Sequence, residues 1–295
     1  MSSQKKVWLI TGSSRGFGRS LAEAVLAHGD QLVATARNPQ QLYDLVERYG
    51  ENVRTVELDV TKPEQARAAV AVAVDTFGRL DVVVNNAGYA NVAAIEDATE
   101  EDMRAQIETD LWGVIHVTRA ALPVLRKQRS GHFVQFSSVG GRVGTPGLAA
   151  YQTAKFGVEG FSEVLAREVE PLGIKVTIIE PGGFATDWAG SSMHTMEPSE
   201  DYQDTVGRLH NRFRQQGGVS AGDPAKAAQA IITIVNEEQP PLRLLLGSDA
   251  LLVVRHADQV KLAEIDRWEH LSRSTNVDGL DVVEHEKQLR QALNI

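Results

Sequence analysis

The chain predicts a doubly wound parallel α/β sheet, and three observations carry that prediction. Short β-branched runs alternate with longer helical patterns along most of the 295 residues. The runs are apolar on both faces, so each strand needs cover on both sides, as in a parallel sheet sandwiched between helices. A glycine-rich turn follows the first run and opens the first helix, which points backbone amides outward from a helix N-terminus.

The elements follow in order. V-W-L-I-T (7–11) is the first strand, T-G-S-S-R-G-F-G (11–18) the turn, and the amphipathic segment 17–29 the first helix. Q-L-V-A-T-A (31–36) and a helix over 40–49 come next, then V-R-T-V-E-L (53–58) and a helix over 63–78. D-V-V-V-N (81–85) leads to one long helix over 101–128. H-F-V-Q-F-S (132–137) with helix 151–171, K-V-T-I-I-E (175–180) with helix 224–237, and L-R-L-L-L (242–246) complete the pattern. The result is a single-domain Rossmann sheet of seven parallel strands over residues 1–248, with helices on both faces.

Two segments break the rhythm. Residues 184–222 are polar, contain Gly190, Gly207, Gly217 and Gly218, and lie between the sixth and seventh strands. An insertion of that length reads as a substrate lid, with Trp188 and Met193 placed to touch what it covers. Residues 249–295 read as a C-terminal extension packed on the same domain, with a helix over 250–273 and a charged, weakly patterned end.

Bulk properties exclude several classes. A net charge of −9 argues against a nucleic-acid binder, which carries a basic stripe. With no cysteine there is no disulfide, thiolate catalysis or cysteine-ligated metal, a composition that suits the reducing cytoplasm. The eight histidines show no H-E-x-x-H spacing, so no metal site is assigned. The first apolar run is too short for a signal segment and no later run reaches membrane-spanning length. A soluble, cytoplasmic enzyme is expected.

The turn places Gly12, Gly16 and Gly18 in a G-x-x-x-G-x-G spacing, with Ser14, Arg15 and Phe17 between them. A tight backbone after a first strand brings a pyrophosphate to the amides at a helix N-terminus. Dinucleotide sites often carry an acid at the end of the second strand to hold a ribose 2′-hydroxyl. Here Ala36 and Arg37 stand there. An acid would repel a 2′-phosphate, whereas an arginine pairs with it, so NADP(H) is expected rather than NAD(H). Arg15 is a second candidate partner, or a cap for the turn.

Tyr151 and Lys155 are four residues apart and share a helix face. A cation beside a phenol favours the phenolate. Moving it from about 10 to neutrality takes roughly 3 units, or about 4 kcal/mol. Such a phenol suits general acid–base work on a carbonyl or an alcohol. Ser138 follows the fifth predicted strand, where its hydroxyl can face the crevice and hold a substrate oxygen near Tyr151.

With these residues together the chain resembles the short-chain dehydrogenase/reductase family over roughly residues 5–190. The glycine turn, Asp59-Val60, Asn85-Asn86-Ala87-Gly88, Ser138, Tyr151/Lys155 and Pro181-Gly182 carry the resemblance. A-T-A-R-N, S-S-V-G-G and R-L-L-L-G-S-D-A resemble the branch of 17β-hydroxysteroid and retinol dehydrogenase-like enzymes. The resemblance implies that Asp59 and Val60 meet the adenine, and that Asn86, Ala87 and Gly88 support the central strand and the adenosine ribose. It also implies that Pro181, Gly182 and Thr186 line the nicotinamide, and that Lys155 holds its ribose. A homodimer or homotetramer built on helices 101–128 and 151–171 is implied as well.

One position departs from the family. Where an asparagine commonly holds a relay water, E-T-D-L-W-G places Asp110. An ionised aspartate accepts hydrogen bonds and donates none. Asp110 is therefore a candidate relay acceptor near the Tyr–Lys pair, or a helix-interior residue satisfied by the catalytic helix. The expected function is NADP(H)-dependent interconversion of a small-molecule ketone or aldehyde with its alcohol. The alternatives are a non-catalytic NADP(H) sensor, and an isomerase or dehydratase on the same fold.

Overall fold

The sheet is built from β1 (Val7–Ile10), β2 (Gln31–Ala36), β3 (Val53–Glu57), β4 (Val82–Asn85), β6 (Gly131–Phe136), β7 (Ile174–Pro181) and β9 (Arg243–Leu246). Its order is β3-β2-β1-β4-β6-β7-β9, and every neighbouring pair is parallel. The computed structural model describes residues 5–186, 193–211 and 221–293. Trp188, Gly190, Gly217 and Gly218 of the expected lid lie outside these.

Alternation along β1 explains why the sheet is covered twice. Trp8 and Ile10 pack into a layer with Leu21 and Val25 of α1 (Gly16–His28), Leu45 of α2 (Tyr43–Tyr49), and Ile231 and Val235 of α7 (Pro224–Asn236). Val7 and Leu9 point the other way. They meet Ala69 and Ala73 of α3 (Pro63–Phe77), Val117 and Leu125 of α5 (Gly113–Gln128), and Leu165 of α6 (Ala149–Val169). Each fully buried Leu, Ile or Val contributes roughly 1.5–3 kcal/mol, so a slip by one residue would forfeit both layers. The chain winds outward from β1 through β2 to β3 and then returns to β4 on the other side of β1. The strand order therefore reverses between β1 and β4, which opens a crevice at their C-terminal ends.

Three differences from expectation stand out. The helix expected over 101–128 is α4 (Glu100–Ile107), one π turn (Glu108–Trp112) and then α5. The π turn widens the helix by one residue at the position of Asp110, a distortion that leaves hydropathy periodicity almost unchanged. A two-stranded parallel ladder, β5 (Asn91–Val92) with β8 (His194–Thr195), joins the segment after β4 to the expected lid. Two-residue strands are too short to leave a period. The weakly patterned end contains a helix, α9 (Val282–Leu293).

The chain forms two compact units, Met1–Val254 and Arg255–Ile295. The helix α8 (Ser248–Arg273) begins in the first and ends in the second. In the second unit, Arg273 Nη1 pairs with Glu286 Oε1 of α9 at 2.8 Å. Among the described residues no helix is long and apolar enough to cross a membrane, and no cluster of acidic and histidine side chains could hold a metal.

Candidate active site

A cavity of about 910 Å³ occupies the crevice at the C-terminal ends of the strands. Gly12, Ser14, Arg15, Gly16, Phe17, Arg37, Asp59, Val60, Asn86, Ala87, Gly88, Ser138, Tyr151, Lys155, Pro181, Gly182 and Thr186 all line it. Two of the expected residues do not reach it: Gly18 and Asp110.

The glycine turn is held from behind. Thr11 Oγ1 accepts the backbone N–H groups of Asn86 (2.9 Å) and Ala87 (3.0 Å). Asn86 Nδ2 donates to the carbonyls of Thr11 (2.9 Å) and Gly12 (3.2 Å). The Asn86 side chain thus braces the glycine turn against the end of the central strand. Gly12 has φ 68° and Gly16 φ 55°, the left-handed region that favours glycine. Gly18 is a spacer, because a Cβ there would fall on the Gly12 carbonyl oxygen and on Asn86 Nδ2. One residue before Asn86, Asn85 Nδ2 ties β4 to Gln135 Oε1 (2.7 Å) and to Thr118 Oγ1 of α5 (3.1 Å).

This cradle fits a phosphate. Helix α1 starts at the cavity with no side-chain cap and no acid in its first turn. The first N–H groups of a helix have no intrahelical acceptor and carry the positive end of its dipole. Ala36 and Arg37 close the β2 side of the cavity and Asp59 the β3 side. Asp59 Oδ1 accepts from the Thr61 N–H (3.0 Å) and hydroxyl (2.7 Å), which fixes its rotamer.

At the opposite end Ser138, Tyr151 and Lys155 converge. Ser138 caps the short turn Val139–Gly141 by accepting the Gly140 N–H at 3.0 Å, and its hydroxyl hydrogen-bonds the Tyr151 phenol. Tyr151 and Lys155 share a face of α6, and the ammonium lies 5.6 Å from the phenol ring centroid. Lys155 Nζ donates to the Phe136 carbonyl at 2.9 Å, fastening α6 to the end of β6.

The electrostatics correct the expectation drawn from spacing. Burial, with a smaller contribution from the Asp110 charge, pushes the Tyr151 phenol well above its ordinary range. Burial lowers Lys155, opposed by Asp110 and Glu159. Desolvation outweighs the hydrogen bond from Ser138, which favours the phenolate, and the phenol is held protonated. Asp110 lies behind the wall, fully buried. Burial raises its carboxyl to about 7, opposed by Lys155 and by the hydrogen bond from Tyr89. Its Oδ1 accepts the Tyr89 N–H at 3.1 Å, so its anchor is the loop between β4 and β5 and not the catalytic helix. Its Oδ2 has no hydrogen-bond partner.

Sequence reasoning missed several parts of this site. Arg142, just past the Ser138 turn, pairs with the fully buried Glu180 of β7 at 3.2 Å. Arg243 of β9 joins Glu180 (3.4 Å) to Glu159 of α6 (3.0 Å), one turn after Lys155. This charge cluster clamps the Ser138 turn onto the lysine helix, and burial together with Glu159 raises Glu180 above the usual carboxylate range. Its partners lie 38–84 residues apart, beyond any local motif. Phe184 packs against Phe17 with tilted rings (4.8 Å between centroids), and Phe17 in turn meets Phe136 (5.4 Å). Met193, which the sequence did single out for the lid, packs with Val92, Leu148, Tyr151 and Val206 beside the cavity.

Comparison with known proteins places this arrangement. A family model described as short chain dehydrogenase matches residues 6–197. Oxidoreductase BOA17 of Botryotinia fuckeliana is 52% identical over 268 residues, covering 90% of this chain and 98% of that protein. A short-chain dehydrogenase from Streptomyces avermitilis superposes with a TM-score of 0.86 at 42% identity, covering 94% of this chain and all of that one. ElxO, solved with NADP bound, superposes with a TM-score of 0.70 at 25% identity, covering 84% of this chain and 99% of its own. By fold, site geometry and similarity along its length, the chain belongs to the short-chain dehydrogenase/reductase family of oxidoreductases.

Proposed function

We propose that this protein is an NADP(H)-dependent oxidoreductase that interconverts a ketone or aldehyde with its alcohol, using Ser138, Tyr151 and Lys155. The convergence of these three side chains on one wall of the cavity, opposite the uncapped start of α1, carries the reading. The cofactor, when bound, supplies or accepts the hydride. Ser138 would donate a hydrogen bond to the substrate oxygen and hold it beside Tyr151. A phenol kept protonated by burial is suited to give its proton to the developing alkoxide. Lys155, anchored on the Phe136 carbonyl, sets the ammonium beside that phenol. Asp110, with a carboxyl near neutrality and a free Oδ2, is suited to pass a proton toward the pair.

Several observations support the finer assignments. Arg15 and Arg37 line the cavity where a 2′-phosphate would lie, and Ala36 leaves no acid to repel it. That ElxO holds NADP agrees with this choice. Around the catalytic end, Val139, Val143, Leu148, Leu209 and Val253 present an aliphatic wall, which suits a lipophilic carbonyl compound. Trp112 in the π turn and Phe156 and Val164 on α6 are exposed apolar residues on the two helices expected to build a homodimer or homotetramer. The test is NADPH oxidation against a varied carbonyl panel. We predict that Tyr151→Phe binds NADPH as the wild type does, measured by fluorescence titration, and loses at least about a thousandfold in kcat. Substantial residual turnover would remove Tyr151 from the mechanism.

A further inference from the structure

Asp249 belongs to the R-L-L-L-G-S-D-A stretch, and none of the chemistry above uses it. It sits in the first turn of α8, in the first compact unit. An acid there ordinarily serves its own helix dipole. Here Oδ2 instead accepts the N–H of Gly183 at 2.7 Å, from the backbone leaving β7, 66 residues earlier. Two glycines make room for the carboxylate. A Cβ on Gly182 would collide with it, and Gly247 adopts φ 100° with its own Cβ direction blocked by Oδ1. The carboxylate is also part of the cavity wall, next to Pro181, Gly182 and Gly183.

The segment it holds is the one expected to line the nicotinamide. Beyond Gly183 the chain is pinned by Phe184 on Phe17 and by backbone bonds with Gly222, and a Cβ on Gly16 would come into van der Waals contact with Thr186. Asp249 is the side-chain anchor at the other end of this short stretch. A carboxylate fixed there also places a negative charge at the end of the cavity where the nicotinamide ring would lie. That ring is positively charged when oxidised and neutral when reduced.

We propose that Asp249 is a positioning residue for the Pro181–Thr186 segment, and that its charge biases the cavity toward the oxidised cofactor. The proposal rests on the cofactor reading given above. Titration of oxidised and reduced NADP(H), and in parallel NAD(H), into the wild type, Asp249→Asn and Asp249→Ala tests it without needing turnover. Asparagine retains an acceptor for Gly183 and removes the charge. It is expected to lower the preference for the oxidised form on the order of fivefold while keeping the affinity for the reduced form. Alanine removes both and is expected to weaken both forms about five- to tenfold. An unchanged oxidised-to-reduced affinity ratio in Asp249→Asn overturns the charge bias, which a purely structural residue would not move. Wild-type affinities in Asp249→Ala overturn the positioning role. If the shift appears with NAD(H) and not NADP(H), the proposal stands and only the phosphate assignment falls. A wild type that binds neither pair overturns the cofactor reading itself, and this proposal with it.

Discussion

Replacing Asp110 by asparagine should stabilise the protein by an amount that grows as pH rises above about 4 and is complete above about 7. The carboxyl is fully buried, and desolvation raises it from 3.8 to about 7, net of the attraction of Lys155. Because the folded state binds this proton more tightly than the unfolded chain does, the wild type loses stability as pH rises from about 4 to about 7. Above that the penalty is complete. A difference of roughly 3 units at 1.36 kcal/mol each amounts to about 4 kcal/mol. Asparagine has the same shape and an oxygen for the Tyr89 N–H, and it never ionises. The variant should match the wild type near pH 4, gain up to about 4 kcal/mol at pH 8.5, and melt higher there by about 5–10 °C. Urea or thermal unfolding at both pH values measures this. An equal difference between the two proteins at pH 4.5 and pH 8.5 would refute the reasoning, because the gain could not then come from ionisation.

Two further predictions follow from the cofactor cradle. Arg37→Ala should weaken NADPH ten- to a hundredfold, the range for a hydrogen bond to a charged group, while changing NADH little. Equal losses in a parallel titration would sink the phosphate assignment. Gly18→Ala should cost about 2–4 kcal/mol in urea unfolding and abolish cofactor binding, because its Cβ must displace the Gly12 carbonyl or Asn86. Wild-type stability would mean that α1 can shift away from the turn at no cost.

The sheet was legible from hydropathy because a doubly covered strand leaves a dense local signature. Trp8, Ile10 and their neighbours on β1 are buried wherever the helices run, so seven strands could be located one by one. The glycine turn was legible for a similar reason. Positive φ at Gly12 and Gly16 and the tight spot at Gly18 are demands of a short, contiguous piece of backbone. The π turn was not legible, since one extra residue in a turn shifts the apolar stripe too little to detect. The β5–β8 ladder was invisible because two residues cannot display an alternation.

The electrostatics divided along the same line. Spacing put Tyr151 and Lys155 on one face, and the fold does so. The direction of the phenol's shift was read from that proximity alone. Burial, which depends on everything packed around α6, reverses it. Asp110 stood out in the sequence as an odd residue at a familiar position, but its anchor on Tyr89 and its bare Oδ2 depend on how α4 and α5 meet the loop after β4.

By itself, then, the sequence determined the fold class, the cradle at the start of α1 and the identity of the three converging side chains. Each of these is encoded in a few adjacent residues, or in a period repeated along one element. Only the tertiary structure decided which groups are desolvated, which carboxylates clamp the Ser138 turn, and which residue from the end of the sheet holds the backbone leaving β7. Those are properties of partners tens of residues apart, and the free energy of a charge depends on the whole surroundings that exclude water from it.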